Sequence, residues 1–227
     1  MILSATDISV FITTFKLATI STCILLLLGT PLAWWLARST WRFKFLLEAI
    51  IALPLVLPPT VLGFYLLMAM GPQGFIGKVM HFFGLQSLAF TFSGLVIGSI
   101  IYSMPFVVQP LQSAFASLGQ RPLDVAATLG ASPLDRFFSI ILPMARPGFL
   151  TAAVLGFAHT LGEFGVVLMM GGNIPGKTQV LSIHIYEQVE NMQYASAYWL
   201  SGILLLLSFL LLILVYALNR HYRFMVK

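Results

Sequence analysis

Charge is what this sequence has least of. Only 8% of its 227 residues are Asp, Glu, Lys or Arg, while 59% are hydrophobic; soluble domains carry about 25% charged residues. A chain so poor in charge has little to put on a water-facing surface, which excludes an ordinary soluble domain and leaves lipid as its solvent. A single cysteine, Cys23, excludes an intrachain disulfide, a CxxC motif and a cysteine metal site. The four histidines (His81, His159, His184 and His221) are scattered, and there is no HExxH, no paired-carboxylate motif and no GxxxxGK[ST] phosphate loop. A membrane-embedded enzyme therefore has no motif to rest on: no catalytic, cofactor-binding or metal-binding residue is expected. The net charge of +5 is spread too thinly for a nucleic-acid-binding stripe and reads instead as a topology marker. The opening MILSATDISVFITTFK has no basic segment ahead of its apolar stretch, which argues for a retained first span rather than a cleaved signal peptide.

What is present is long apolar runs. About 20 apolar residues cross the roughly 30 Å of hydrocarbon, and five runs reach that length, at about 12–37, 46–70, 88–117, 149–170 and 195–218. The expectation is an all-α, polytopic transmembrane bundle in one domain, 10–218. Five spans put the termini on opposite sides. One set of loops holds Arg38, Arg42, Lys44, Arg121, Arg136, Arg146, Arg220, Arg223 and Lys227, and the other only Lys16, Lys78 and Lys177. Nine against three places the N-terminus outside and the C-terminus in the cytoplasm. The segment 118–147 is then a cytoplasmic loop.

That loop reads SLGQRPLDVAATLGASPLDRFFSIILPMARPG and predicts two short helices. Pro122 suits a first turn and Gly130 a helix end, with Leu123, Ala126, Ala127 and Gly130 on one face. Ser132, followed by Asp135 three residues on, starts a second helix, which is expected to end near Leu142, before Pro143. Two alanines and a glycine form a small face, better suited to docking against another protein than to lying on lipid, where bulky apolar residues are favoured.

The loop resembles the EAA loop of ABC importer permeases, a pattern of EAA, three residues, Gly, nine residues, then I-x-L-P. Asp124 stands in the acidic place one residue early with Val125 inserted, followed by Ala126, Ala127, Gly130, and then Ile140, Leu142 and Pro143. LPLVLPPTVLGFYLL in the second span, LGEFG at 161–165 and GGNIPGKT at 171–178 make the chain similar to the permease subunits of molybdate importers. Sulfate and thiosulfate permeases are close relatives, usually with a longer chain and a further span, and tungstate is nearly identical to molybdate in size and charge. The resemblance implies a type I ABC importer permease fold in a bacterial cytoplasmic (inner) membrane. It also implies a homodimer of permeases, two separate cytoplasmic ABC ATPase subunits that carry the ATP and Mg, an extracytoplasmic oxyanion-binding protein and alternating access. Coupling to the ATPase then falls to Asp124, Ala126, Ala127 and Gly130.

Within the spans, Pro58 and Pro59, with Pro54, lie roughly 12 to 20 Å deep and kink their helix, as a hinge beside the pathway or as a fixed bend. Pro105 and Pro110 invite the same two readings. Glu163 is the acidic residue deep in an apolar run, and an intramembrane carboxylate marks a functional site by default. It repels an oxyanion, so a structural or gating role is expected, with His159 four residues earlier as one partner and a hydrogen bond from another span as the alternative. Gly162 and Gly165 suggest close approach of a second helix there. No Lys or Arg lies in a span interior, so a polar path must come from Ser99, Tyr102, Ser103 and Thr160. Pro58, Pro59, Ser103, Gly162 and Glu163 are the expected path or gate residues.

Overall fold

The computed structural model describes residues 4–225, with side chains described for 4–217. Arg220, His221 and Arg223 lie beyond the described side chains, and Lys227 lies outside the described residues. Helix α1, Ala5–Arg38, begins at a complete capping box: the Asp7 amide donates to Ser4 Oγ at 3.1 Å, and the Ser4 amide to Asp7 Oδ2 at 2.9 Å. Its 34 residues reach about 51 Å, so the first turns project beyond the roughly 30 Å that lipid tails cover. Next come α2 (Lys44–Ala52), a tight 3-10 turn (Leu53–Leu55), α3 (Pro59–Met70) and α4 (Phe75–Phe82). Helix α5 spans Phe92–Ser117, capped by Thr91, whose hydroxyl accepts from the Gly94 amide at 3.1 Å. The loop contains α6 (Arg121–Thr128), α7 (Pro133–Arg136), a π turn (Phe137–Ile141) and α8 (Leu142–Met144). Helices α9 (Arg146–Leu161), α10 (Gly165–Gly171), α11 (Leu181–Glu190) and α12 (Tyr194–Met225) complete the chain.

Four helical stretches among the described residues are long and apolar enough to cross a membrane: Ala5–Arg38, Pro59–Phe82, Phe92–Ser117 and Tyr194–Ala217. A fifth exists if Pro133–Met144 and Arg146–Leu161, which meet at 71°, form one span. Two runs expected as single helices are interrupted. The 46–70 run breaks between Leu55 and Pro59, because consecutive prolines supply no amide donors and block the α conformation of the residue before them. The 149–170 run starts earlier, at Arg146, and breaks between Leu161 and Gly165, so Glu163 sits in a gap between helices rather than inside one. Pro105 and Pro110, by contrast, leave α5 continuous.

Helix α5 is the axis of the bundle, packed by α1, α9 and α10. One apolar core, at the loop end, joins Leu25, Leu36, Val107, Leu111, Phe115, Leu123 and Ile141. A second, at the opposite end, joins Leu17, Met70, Leu95, Val166, Met170 and Ile183. Close helix approach depends on absent side chains: a Cβ at Gly156 of α9 would lie 2.6 Å from Val107 Cγ2 of α5, the small-residue packing that replaces hydrophobic drive in lipid. Helix α12 lies outermost, with Leu205, Leu206, Phe209 and Tyr216 exposed, as a lipid-facing helix requires.

Candidate functional site

The loop helices stand on the bundle by specific contacts. Helix α6 ends in a Schellman motif: the Ala131 amide donates to Ala126 O and the Gly130 amide to Ala127 O, both at 3.0 Å, with Gly130 at φ +84°, a conformation glycine adopts without a Cβ penalty. Its start is clamped from α1: Arg38 Nη1 donates to Gln120 Oε1 and Nη2 to Gly119 O at 3.3 Å, while the guanidinium lies over Trp34 at 4.1 Å. Trp34 in turn meets Phe115 and Phe137 edge-on, at 5.2 and 5.8 Å. Leu123 and Ala126 point inward, at 7% and 6% exposure. Asp124, Val125, Ala127, Thr128 and Leu129 face outward, joined by exposed Leu134 and Phe138.

The outward face therefore differs from the small alanine–glycine face expected from spacing. Ala126 seats the helix on its own bundle, and the free surface carries the branched and aromatic side chains of Val125, Leu129, Leu134 and Phe138. Counted back from Gly130, the three-residue interval of the EAA pattern begins at Ala127, so Val125 and Ala126 fill the two alanine places. The second loop helix also runs further than expected, through Pro143 to Met144. The π turn makes this possible: Leu142 N donates back to Phe137 O, a register one residue wider than α. Ser132 caps the helix by accepting from the Asp135 amide at 3.2 Å.

Deeper in the bundle a polar seam joins α5 to α9. Ser99 Oγ donates to Glu163 Oε2 at 2.7 Å, and one turn along Ser103 Oγ meets His159 Nδ1 at 2.8 Å and Thr160 Oγ1 at 3.1 Å. The rising serine numbers meet falling partner numbers, so the two helices run antiparallel. His159 does not pair with Glu163; its ring stacks on Phe106 at 3.9 Å and lies 4.8 Å from Tyr102. Ser99, Ser103, Thr160 and Glu163 are all buried within the chain, so three of the four groups expected to line a polar path are inside the protomer here. The Glu163 backbone carbonyl accepts from Ser182 Oγ of α11 at 2.5 Å.

The two helix breaks meet. A Cβ at Gly165, directly after the Glu163 gap, would lie 2.6 Å from Pro59 Cβ and 3.3 Å from Thr60 N, and one at Gly63 would lie 2.8 Å from Met169 Cβ. Gly165 is the close-approach residue. Gly162 has nothing nearer than 3.9 Å and plays no such part. Of the expected gate set, Pro59 and Glu163 flank this junction, Ser103 lies one turn from it, and Pro58 is exposed at the start of α3.

Two polar contacts had no clear signal in the sequence, because they tie the far ends of the chain together. The Leu181 amide donates to Thr14 Oγ1 at 2.8 Å, and His184 Nε2 lies 3.0 Å from Asp7 Oδ1. These contacts bind α11 to the head of α1, while Gln179 Nε2 donates to Glu187 Oε2 at 2.8 Å within the α11 region itself. The GGNIPGKT segment folds over them as a compact turn, with Thr178 Oγ1 donating to Gly171 O at 2.7 Å and accepting from the Ile174 amide at 3.0 Å. Beside it, Lys16 and Lys177 share an open groove of about 810 Å³ with Ser9, Thr13 and Thr91. Among the described residues no three His, Cys, Asp or Glu side chains cluster as metal ligands.

The arrangement is therefore a broken-helix bundle with a rigid loop module at one end. Residues 29–224 match the family model of the binding-protein-dependent transport system inner membrane component. The chain is 58% identical over 220 residues, 97% of each chain, to a molybdenum transport system permease protein of Azotobacter vinelandii. It is 33% identical over 216 residues, 94% of this chain and 81% of the other, to a protein of Chlorella vulgaris described as a "Probable sulfate transport system permease protein". Among solved structures it is similar to a chain of a bacterial ABC transporter involved in import of the acidic polysaccharide alginate. That match has a TM-score of 0.78 and covers 96% of this chain and 80% of the other, at 16% identity, a likeness of fold alone.

Proposed function

This chain belongs to the binding-protein-dependent transport system inner membrane components, and we propose that it is the non-catalytic, multi-pass permease subunit of an ATP-driven importer that carries molybdate into the cytoplasm. The observation that carries the reading is the 58% identity over 97% of the chain to a molybdenum transport permease, well above the 33% to the sulfate relative.

In this reading two copies of the chain form the path, and each sets its loop module on one of two separate ATPase subunits that hold ATP and Mg. The basic end, with Arg38, Arg42, Arg121, Arg136 and Arg146, faces the cytoplasm. The opposite end, where Lys16 and Lys177 share a groove, faces the binding protein that delivers the oxyanion. Asp124, Ala127 and Leu129 touch the ATPase, Ala126 seats α6 on the bundle, and Gly130 fixes the turn that follows. Rigidity favours transmission: α6 is tied to α1 through Arg38 and to the core through Leu123, so a push on its outer face moves helices rather than a floppy loop. The junction of Pro59 with Gly165, locked from α5 through Glu163, is the place where two broken spans shift against each other. Selectivity resides in the binding protein, since no span interior carries a cation for a dianion.

The test is ATP-dependent uptake. The chain is co-purified with its ATPase, reconstituted in vesicles with the oxyanion-binding protein and given molybdate or sulfate. Molybdate uptake that excess sulfate fails to suppress is expected; sulfate preference would move the chain to the sulfate importers, and no oxyanion uptake at all would remove the proposal.

A further inference from the structure

At the loop end of α1 the structure holds a groove whose outer face, beyond the Arg38 clamp on α6, the coupling role does not use. It is an open surface groove of about 840 Å³ lined by Trp34, Trp35, Arg38, Ser39, Thr40 and Trp41. The charge-free stretch of α1, Leu17–Ala37, ends at its rim, which sets it at the depth of lipid headgroups. Its composition is divided to match. Trp35 and Trp41 are 43% and 51% exposed, with ring centroids 6.1 Å apart, and such amphipathic rings settle at the headgroup level. Exposed Leu28 lies two turns back from Trp35 on the same face of α1, and exposed Phe45 and Leu46 continue the apolar track on α2.

The polar side of the groove is cationic and hydroxylated. Arg38 spends one N–H of each terminal nitrogen on Gln120 and Gly119, which leaves the second N–H of each for another acceptor. Ser39 Oγ accepts from the Trp41 amide at 3.2 Å, so its own hydrogen is unspent, and Thr40 is exposed. Arg42, next along the turn between α1 and α2, is exposed, flanks the lining and lies 5.1 Å over Phe43. The carboxylates nearby do not line the groove: Asp124 interacts with Arg38 from the loop, and Glu48 is held by Lys44 at 3.4 Å and by Gln112 at 2.7 Å.

We propose that this groove binds the phosphate headgroup of an anionic phospholipid, with Arg38 and the Ser39 and Thr40 hydroxyls on the phosphate, Arg42 adding positive charge from beside it, and Trp35 and Trp41 against the glycerol and upper acyl chain. Zwitterionic lipid offers the same phosphate but brings a cation with it, so net charge decides the occupant. The site stands apart from which oxyanion the importer carries.

Three of the four tryptophans in the chain line the groove, and the fourth, Trp199, is removed by Trp199→Phe, which makes fluorescence a local reporter. The importer complex carrying that substitution is reconstituted in phosphatidylcholine vesicles containing brominated phosphatidylglycerol or brominated phosphatidylcholine at equal mole fraction. The ATPase tryptophans are subtracted with the ATPase alone. Brominated phosphatidylglycerol is expected to quench more strongly, with a preference of about fivefold for each basic residue engaged. The preference should fall in Arg38→Gln and in Arg42→Gln, and be restored by Arg38→Lys. Gln120→Ala, which loosens the loop contact of Arg38 without removing charge, should keep it. Equal quenching by the two lipids, or a preference unchanged in both Arg→Gln variants, overturns the proposal. So does relief of phosphatidylglycerol quenching by millimolar inorganic phosphate, which would make the site one for a free oxyanion.

Discussion

Ser99 on α5 donates its hydroxyl to the Glu163 carboxylate, 2.7 Å away in the gap between α9 and α10, and the same residue's backbone carbonyl is held by Ser182 of α11. Glu163 thus fastens a helix break to two other elements at once. A carboxamide keeps the acceptor toward Ser99, so Glu163→Gln should retain transport within about twofold. Glu163→Ala strands the serine donor and leaves a void, at a cost of about 1–3 kcal/mol; a lower unfolding temperature and reduced uptake are expected together. Uptake and thermal unfolding of the purified complex measure both, and loss of transport in a well-assembled Glu163→Gln complex would show that the carboxyl group itself is required, not merely an acceptor for Ser99.

The junction of the two breaks makes a sharper demand. At Gly165 an added Cβ would stand 2.6 Å from Pro59 Cβ, whereas at Gly202 of α12 nothing lies within 4 Å. Gly165→Ala should therefore destabilise by about 1–3 kcal/mol through overpacking, or displace α3 and slow transport. Gly202→Ala should be neutral or stabilising by up to about 1 kcal/mol through helix propensity. Thermal shifts of the two variants, measured side by side, separate local crowding from a general intolerance of added methyl groups.

The loop module predicts a division between seating and docking. Leu129 is 83% exposed and Ala126 only 6%. Leu129→Ser and Asp124→Asn should weaken capture of the ATPase while leaving the unfolding temperature of the permease unchanged. Ala126→Leu should do the reverse first, lowering stability by about 1–3 kcal/mol as the larger side chain is forced into a packed face. Pull-down of the ATPase together with thermal unfolding distinguishes the two. Equal loss of ATPase capture in Leu129→Ser and a stability-matched core variant would defeat the assignment of faces.

Much of this was legible in the sequence because lipid simplifies the problem. The scarcity of charge required helices, the run lengths located them, and glycine and proline in the loop marked both short helices. The breaks were half legible. Prolines at 54, 58 and 59 announced the first. The second, around Glu163, has no proline and reads as a continuous apolar run, since a helix gap stabilised by tertiary hydrogen bonds leaves no local trace. The facing of α6 was legible in part, with Asp124, Ala127 and Gly130 exposed but Leu123 and Ala126 turned inward. Spacing shows which residues share a face and not whether that face meets its own bundle or a partner. Glu163 had two candidate partners, His159 four residues earlier and a group on another span, and tertiary packing chose Ser99 of α5.

The contacts least visible in the sequence provide the last prediction. Thr14 and Leu181 are 167 residues apart, yet the Thr14 hydroxyl accepts the Leu181 amide at 2.8 Å in a fully buried position and itself donates to Val10 O at 2.8 Å. Leu181 opens α11, whose Val180 cap residue makes no side-chain cap bond, so Thr14 takes over that duty from another helix. Thr14→Val keeps the shape and removes the acceptor, leaving a buried amide unsatisfied at about 1–3 kcal/mol. Thr14→Ser keeps the bond and should cost less. Because α11 also holds the Glu163 carbonyl through Ser182, the valine variant should loosen the break as well as the helix start. Amide exchange followed by mass spectrometry is expected to show faster exchange in 181–190 for Thr14→Val and near wild-type exchange for Thr14→Ser. If both variants exchange alike, the hydroxyl is not what anchors α11, and the Asp7–His184 contact would have to hold the two ends of the chain together.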